Sequence, residues 1–330
     1  MGRPATRVVR WVLVVVILAG LMLLPDTGVV ALPRLRPPSV AHAATDDFNS
    51  DRQDLLDRAA VPSASPLALG ELSQKPAPPP TGPVTYVPIL LYHYIRINPN
   101  PLDRVGFGLS TTPTMFRAEM QYLADQGFHV ISLHEAVLAV KHHIGLPSRP
   151  VVLTFDDGYS DFFTNAVPIL RSHGFTATDF VISGRMGLNG FMTPNQVVAA
   201  DAMGFTIGAH TVDHLALASL SPVRASWEIQ QSKRQLESLL GHPVADFAYP
   251  YGSFNAFDVR EAQRLGFETA VSTLYGSLHS AAQLFELSRI RMGGGVGLSY
   301  FASALGGPRP TLNELRLATG SPSPAAIPSR

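Results

Sequence analysis

The chain has 330 residues, 46% hydrophobic and 15% charged, enough apolar material for a sizeable core and a composition unlike that of a disordered chain. Lys plus Arg and Asp plus Glu both number 25, so no global basic field is present to attract nucleic acid. Cysteine is absent, which excludes disulfides, thiolate metal sites and a cysteine nucleophile; any metal must be held by His, Asp or Glu.

At the N-terminus, Arg3, Arg7 and Arg10 precede an uncharged apolar run, the order of an export signal. That run, ~14 residues, is shorter than the roughly 20 of a spanning helix. Only Asp26 interrupts a second apolar stretch, so residues 1–43 are expected to act as a signal peptide or a membrane anchor. Ala41-His42-Ala43 is the candidate cleavage site. Residues 44–83 turn polar and then proline-rich, ending in Lys75-Pro76-Ala77-Pro78-Pro79-Pro80, and predict an extended linker.

Residues 84–305 alternate between two patterns. Apolar runs of strand length fall at 87–92, 151–155, 178–182, 206–209, 247–249 and 269–272. Helix-like periodicity fills 114–125, 162–173, 193–202, 222–240 and 256–265. Gly127, Gly174, Gly204, Gly241 and Gly266 stand where these helices should end in left-handed caps. Such alternation predicts a mostly parallel sheet wrapped by helices, with chemistry at the strands' carboxyl ends. Residues 306–330, rich in Pro, Ser and Ala, are expected to form a flexible tail.

Three strand ends carry candidate chemistry. The run Val151-Val152-Leu153-Thr154-Phe155 ends in Asp156-Asp157-Gly158. Two adjacent carboxylates repel unless a cation or a shared proton relieves them, whereas one Asp would suffice to cap a helix. His210-Thr211-Val212-Asp213-His214 follows a second strand; if that segment turns helically, both imidazoles lie on one face and reach one ion. A lone His-x-x-x-His is a weak signal, strengthened here by the Asp pair. Phe247-Ala248-Tyr249-Pro250-Tyr251-Gly252 ends a third strand in a rigid turn whose N–H groups could face an oxyanion.

Thr154-Phe155-Asp156-Asp157-Gly158, His210-Thr211-Val212-Asp213-His214 and Tyr249-Pro250-Tyr251-Gly252, in that order, resemble the first three motifs of the polysaccharide deacetylase family (NodB homology domain, carbohydrate esterase family 4). The similarity covers about residues 84–295. It implies an α/β fold, a distorted (β/α) barrel of about seven parallel strands. It also implies that Asp157, His210 and His214 bind a divalent metal, Zn²⁺ or else Co²⁺ or Ni²⁺. Asp156 would be the general base, and the Tyr251 backbone N–H would stabilise the oxyanion.

The sequence departs from the commoner family pattern twice. Ala248 occupies the position of an arginine that orients the catalytic aspartate, and the late Leu-x-x-x-His of the general acid is not evident. Both departures, with Ile89-Leu90-Leu91-Tyr92-His93-Tyr94-Ile95 on the first strand, resemble the branch acting on poly-β-1,6-N-acetylglucosamine, which makes His93 the general acid. A histidine at a strand end can equally be a core residue. His279 is the reserve acid, and Arg289 or Arg291 could replace the missing arginine. Asp213 could orient a neighbouring histidine or cap a helix.

The resulting expectation is a monomeric, extracytoplasmic hydrolase, secreted or membrane-anchored, acting on an N-acetylated polysaccharide and not on nucleic acid. Peptidoglycan, chitin oligomers and acetylated xylan are alternative substrates. A catalytically inactive glycan-binding module is the alternative outside enzymes, although pure binding has no need of a base beside a metal.

Overall fold

Why strand and helix alternate here is visible in what each strand buries. In the computed structural model, which describes residues 74–100 and 102–320, seven parallel strands form one sheet. They are β1 (Ile89–Tyr92), β2 (Pro150–Asp157), β3 (Thr178–Val181), β4 (Thr206–Ala209), β5 (Asp246–Ala248), β6 (Thr269–Val271) and β7 (Ile290–Arg291). Their spatial order is β6-β5-β4-β3-β2-β1-β7, and His129–Val130 adds a short parallel pairing beside the start of β2. An isolated bridge between Val271 and Leu287 draws the two ends together, so the sheet curls into the half-closed (β/α) barrel expected.

The strands are apolar on both sides because both sides are covered. Leu90, Tyr92, Leu153, Phe155, Val181 and Ile207 pack outward beneath the helices, while Ile89, Val152, Phe180, Ala248 and Val271 fill the interior. Along β2, period-two alternation puts Thr154 and Asp156 on the inner face above Val152. The predicted strand at 151–155 therefore continues through both aspartates, which pair in register with Phe180 and Val181.

The wrapping helices are α1 (Pro113–Asp125), α2 (Leu133–His142), α3 (Val167–Ser172), α4 (Pro194–Ala202), α5 (Pro222–Leu240), α6 (Ala256–Arg264), α7 (Leu298–Ala304) and α8 (Leu312–Thr319). Three begin with the same device: Thr112, Thr193 and Ser221 cap an N–H in the first turn while a proline takes the first helical position. The five expected glycine stops all have positive φ, from 66° at Gly127 to 90° at Gly204. The predicted helix at 162–173 is split, with a wider π turn over Phe162–Ala166 leading into α3.

The folded unit extends past both expected ends. Residues 306–330 were expected to be a flexible tail, yet α8 lies within them and packs on α1. Thr311 and Glu314 form a capping box, Gly320 closes the helix with φ 71°, and Tyr122 donates to Pro308 O at 2.6 Å. The last part of the expected linker is also held. Gln74 donates to Thr273 O and Arg289 O, both at 2.9 Å, and its Oε1 accepts from Arg291 N at 2.8 Å. A proline-rich strand cannot build a core, but its unpaired backbone groups can pair with an edge, as Ala77 N does with Tyr275 O. The expectations for residues 1–73 and 321–330 lie outside the described residues. Among the described residues no helix is long and apolar enough to cross a membrane.

Candidate active site

Each motif residue sits at the carboxyl end of a barrel strand, where parallel strands leave backbone and side chains free to converge. Asp156 and Asp157 end β2, His210 directly follows β4, Tyr251 lies just after β5, and His93 directly follows β1. Non-glycine residues with positive φ gather here: Asp157 (81°), Thr211 (63°), His214 (59°) and Tyr251 (59°). Such backbone persists only where surrounding contacts hold it, and it commonly marks functional sites.

Asp157, His210 and His214 converge. Asp157 Oδ1 lies 3.5 Å from His210 Nε2 and 3.2 Å from His214 Nε2, and the two Nε2 atoms are 3.2 Å apart. His210 Nδ1 faces the carbonyl oxygen of Ala248 at 2.7 Å; a carbonyl only accepts, so the proton is on Nδ1 and Nε2 presents a lone pair. Asp157 Oδ1 is buried without a hydrogen-bond donor. Three electron-rich atoms thus face one point that lacks a positive charge. Ligands ~2.0–2.1 Å from a tetrahedral ion stand about 3.3 Å from one another, close to the three separations found. These residues fit a divalent metal ion.

The electrostatics agree. Burial alone would raise Asp157, but the neighbouring imidazoles of His210, His214 and His93 hold it far below the usual carboxylate range. Burial would lower His210, and Asp157 with Asp156 raises it instead. His214, desolvated and beside His210, is pushed down to about 3.

The two histidines do not reach the ion by a helical turn. Residues 210–214 form a bend stabilised from outside: Glu228 on α5 accepts from the N–H groups of Val212 and Asp213, both at 3.0 Å, and Thr211 Oγ1 accepts from His214 N at 3.0 Å. Glu228 is fully buried and pairs with Arg224 at 2.8 Å. Asp213 is exposed and bonds Arg224 at 2.6 Å, so it neither orients a site histidine nor caps a helix.

Asp156 has different surroundings. Arg289, immediately before β7, forks onto it, with Nη1 to Oδ1 and Nη2 to Oδ2 at 2.7 Å each. Its remaining donors reach Thr154 Oγ1 at 3.1 Å and Ser272 O at 2.8 Å. Burial raises Asp156, yet the Arg289 charge and hydrogen bonds outweigh it and leave the carboxyl below its ordinary value. Of the two candidates for the missing arginine, Arg289 fills the place. Arg291 does not touch Asp156.

His93 is partly buried with an unpartnered Nδ1; burial lowers it, and Asp157 and Asp156 oppose that shift. His279 is not at this end. It pairs with Thr85 and bonds Val87 O at 3.0 Å, before β1 begins. Tyr251 is 65% exposed, with its ring 4.5 Å from that of His214. Tyr94 and Tyr159 stack at 3.6 Å, and the Asp157 charge acts on both phenols.

The family model for polysaccharide deacetylases matches residues 143–270. The Bacillus subtilis protein YxkH, named as a polysaccharide deacetylase, is 30% identical over 217 residues, 66% of this chain and 75% of that protein. The chain belongs to the polysaccharide deacetylase family. Among solved structures of the family, the Streptococcus pyogenes deacetylase PplD in complex with acetate superposes with a TM-score of 0.63 at 30% identity, covering 67% of this chain and 98% of that one. The poly-β-1,6-N-acetyl-D-glucosamine N-deacetylase of Escherichia coli K12 is 24% identical over 240 residues, 60% of this chain and 36% of that protein. This polysaccharide deacetylase therefore spans about a third of the length of that relative. Membership makes the chain a hydrolase of N-acetyl groups.

Proposed function

We propose that this deacetylase removes N-acetyl groups from a glucosamine-based polysaccharide outside the cytoplasm, using a divalent ion, foremost Zn²⁺, held by Asp157, His210 and His214. One observation carries the reading: two neighbouring carboxylates on one strand end are given opposite tasks by their surroundings. Asp157 faces two imidazoles, and Asp156 faces an arginine fork. The arginine-rich start of the chain supports export, by a cleaved signal or an anchor.

A divalent ion bound there supplies acidity to water and polarises the acetamide carbonyl. The chain's own residues supply the rest. Asp156, held ionised by Arg289, accepts the proton of the attacking water. Arg289 occupies one lone pair on each carboxylate oxygen, which fixes the plane of the base and leaves the others free. The Tyr251 N–H, in its strained turn beside His214, donates to the developing oxyanion. The amine departs only once its nitrogen is protonated, and His93, on the inner side of the first strand, delivers that proton.

The name of the Escherichia coli relative favours poly-β-1,6-N-acetylglucosamine as substrate. The full chain should release acetate and free amine from that polymer, and a chelator should abolish the release. Stronger release from chitin oligomers, peptidoglycan or acetylated xylan would reassign the polymer. Glycan binding with no acetate from any of them would make the chain a binding module.

A further inference from the structure

The two edge strands of the curled sheet, β6 and β7, meet at a seam whose backbone pairing is interrupted. Ala270 and Ser272 exchange hydrogen bonds with Leu287, as in a parallel ladder. One step further, that ladder would take the Arg289 N–H to Ser272 O and the Leu274 N–H to Arg289 O. Instead Arg289 N donates to Leu274 O at 2.7 Å, and Ser272 O accepts from Arg289 Nε. Leu274 N turns to Ser272 Oγ at 3.2 Å. The break leaves Thr273 O, Arg289 O and Arg291 N facing the gap, and backbone polar groups need partners.

Gln74 supplies them. Its Nε2 donates to Thr273 O and Arg289 O at 2.9 Å each, and its Oε1 accepts from Arg291 N at 2.8 Å. A carboxamide carries two N–H donors and a carbonyl acceptor, so it fills the gap as peptide groups of a strand would. Its neighbours lie along the seam as a strap: Tyr275 N donates to Lys75 O at 2.7 Å, and Ala77 N to Tyr275 O at 2.8 Å. Both segments that Gln74 joins lead to the reaction. Arg289 forks onto Asp156. Thr273 Oγ1 donates to Tyr251 O at 3.3 Å, and a Cβ on Gly252 would stand only 2.1 Å from that hydroxyl.

We propose that Gln74, from within the expected linker, is a positioning residue of the active site, acting through the Arg289 backbone to hold the guanidinium fork on Asp156. The inference rests on the reading of Asp156 as the base and adds to it a residue that touches neither substrate nor metal. β7 is only two residues long and pairs with β1 on its other side, so the Gln74 amide is what ties its seam edge to the end of β6. A fork holds its partner by two bonds at fixed angles. Small shifts of the Arg289 backbone therefore swing the Asp156 carboxylate away from the attacking water, and such misplacement is expensive in rate.

The test uses the full chain loaded with Zn²⁺ and whichever of the acetylated glycans named above it deacetylates fastest. Gln74→Met keeps the length of the side chain and removes all three hydrogen bonds. It should lower kcat about tenfold, with KM and metal content close to those of the natural chain. Gln74→Glu keeps the acceptor for Arg291 N but sets a carboxylate oxygen against two carbonyls, so its kcat should fall further. In Arg289→Lys, where the fork is already lost, adding Gln74→Met should cost much less than it does in the natural chain. A kcat in folded Gln74→Met equal to the natural one overturns the proposal. So does a loss seen only in KM or metal content, or an equal loss with and without the fork. Should Gln74→Met fail to fold, Ala77→Pro, which removes one N–H that secures the strap, decides: a lowered kcat supports the proposal and an unchanged one overturns it. Unimpaired turnover in these variants leaves the deacetylase reading standing, whereas no acetate from the natural chain on any of the glycans removes both.

Discussion

Replacing Arg289 by methionine should separate the two tasks of the Asp156–Arg289 pair. Arg289 is fully buried and places donors on both Asp156 oxygens, Thr154 Oγ1 and Ser272 O. Methionine fills much of the space but leaves Asp156, itself 3% exposed, without a counter-charge. Breaking a buried pair from one side costs ~3–5 kcal/mol, a large share of the ~5–15 kcal/mol that hold a typical domain together. The same change reverses the Asp156 titration. With Arg289 present the carboxyl lies below its ordinary value; without it, burial alone acts and raises the carboxyl above that value. A base works only when ionised, so the acid limb of kcat/KM should move to higher pH in Arg289→Met. Arg289→Lys keeps the charge but loses the fork and should fall between the two. Stability follows the same sign: the pair contributes above the unfolded carboxylate pKa, and its contribution is lost as pH falls through the depressed folded value. Denaturant unfolding and pH–rate profiles of the three proteins measure both effects. An acid limb that stays in place in a folded, active Arg289→Met protein would refute the assignment of Asp156 as the base tuned by Arg289.

Asp156→Asn should retain metal and lose turnover by about a hundredfold or more, while His210→Ala should lose metal; elemental analysis beside acetate assays checks both, and full occupancy in His210→Ala removes it from the ligand set. His93→Ala should slow amine release by about a hundredfold, whereas His279→Ala, altered at the opposite end of the barrel, should match the natural rate; the reverse pattern would reassign the acid. Burial, opposed by a 2.9 Å hydrogen bond from Tyr92, lifts buried Glu119 to about 8. Because its folded value exceeds the unfolded one, its contribution to stability is whole below ordinary carboxylate pH and is lost as pH climbs towards 8. The unfolding free energy of the natural chain, measured by denaturant titration, should therefore fall across that window by ~1.4 kcal/mol per pH unit from this group, and Glu119→Gln should flatten the fall.

The sequence by itself determined what is local. Apolar runs with period two, helical stripes opened by Thr112-Pro113, Thr193-Pro194 and Ser221-Pro222, and glycines at left-handed stops specify strands and helices within a few residues of one another. Their alternation implied a mostly parallel sheet wrapped by helices, the family resemblance implied its closure into a barrel, and the strand-end rule put Asp156, Asp157, His210 and His214 at one end of it. Helix α2 falls outside the periodic segments of the sequence although Ser132 and Glu135 form its capping box. Tertiary structure alone decided the rest. Arg289 meets Asp156 across 133 residues, Glu228 braces the histidine bend from α5, and Gln74 secures the last strand from within an apparent linker. Nothing periodic marks such contacts, because each side chain is chosen by a neighbour that only the curled sheet brings near. The same geometry separated His93 from His279, since a histidine's place along the chain says nothing about which end of a barrel it faces.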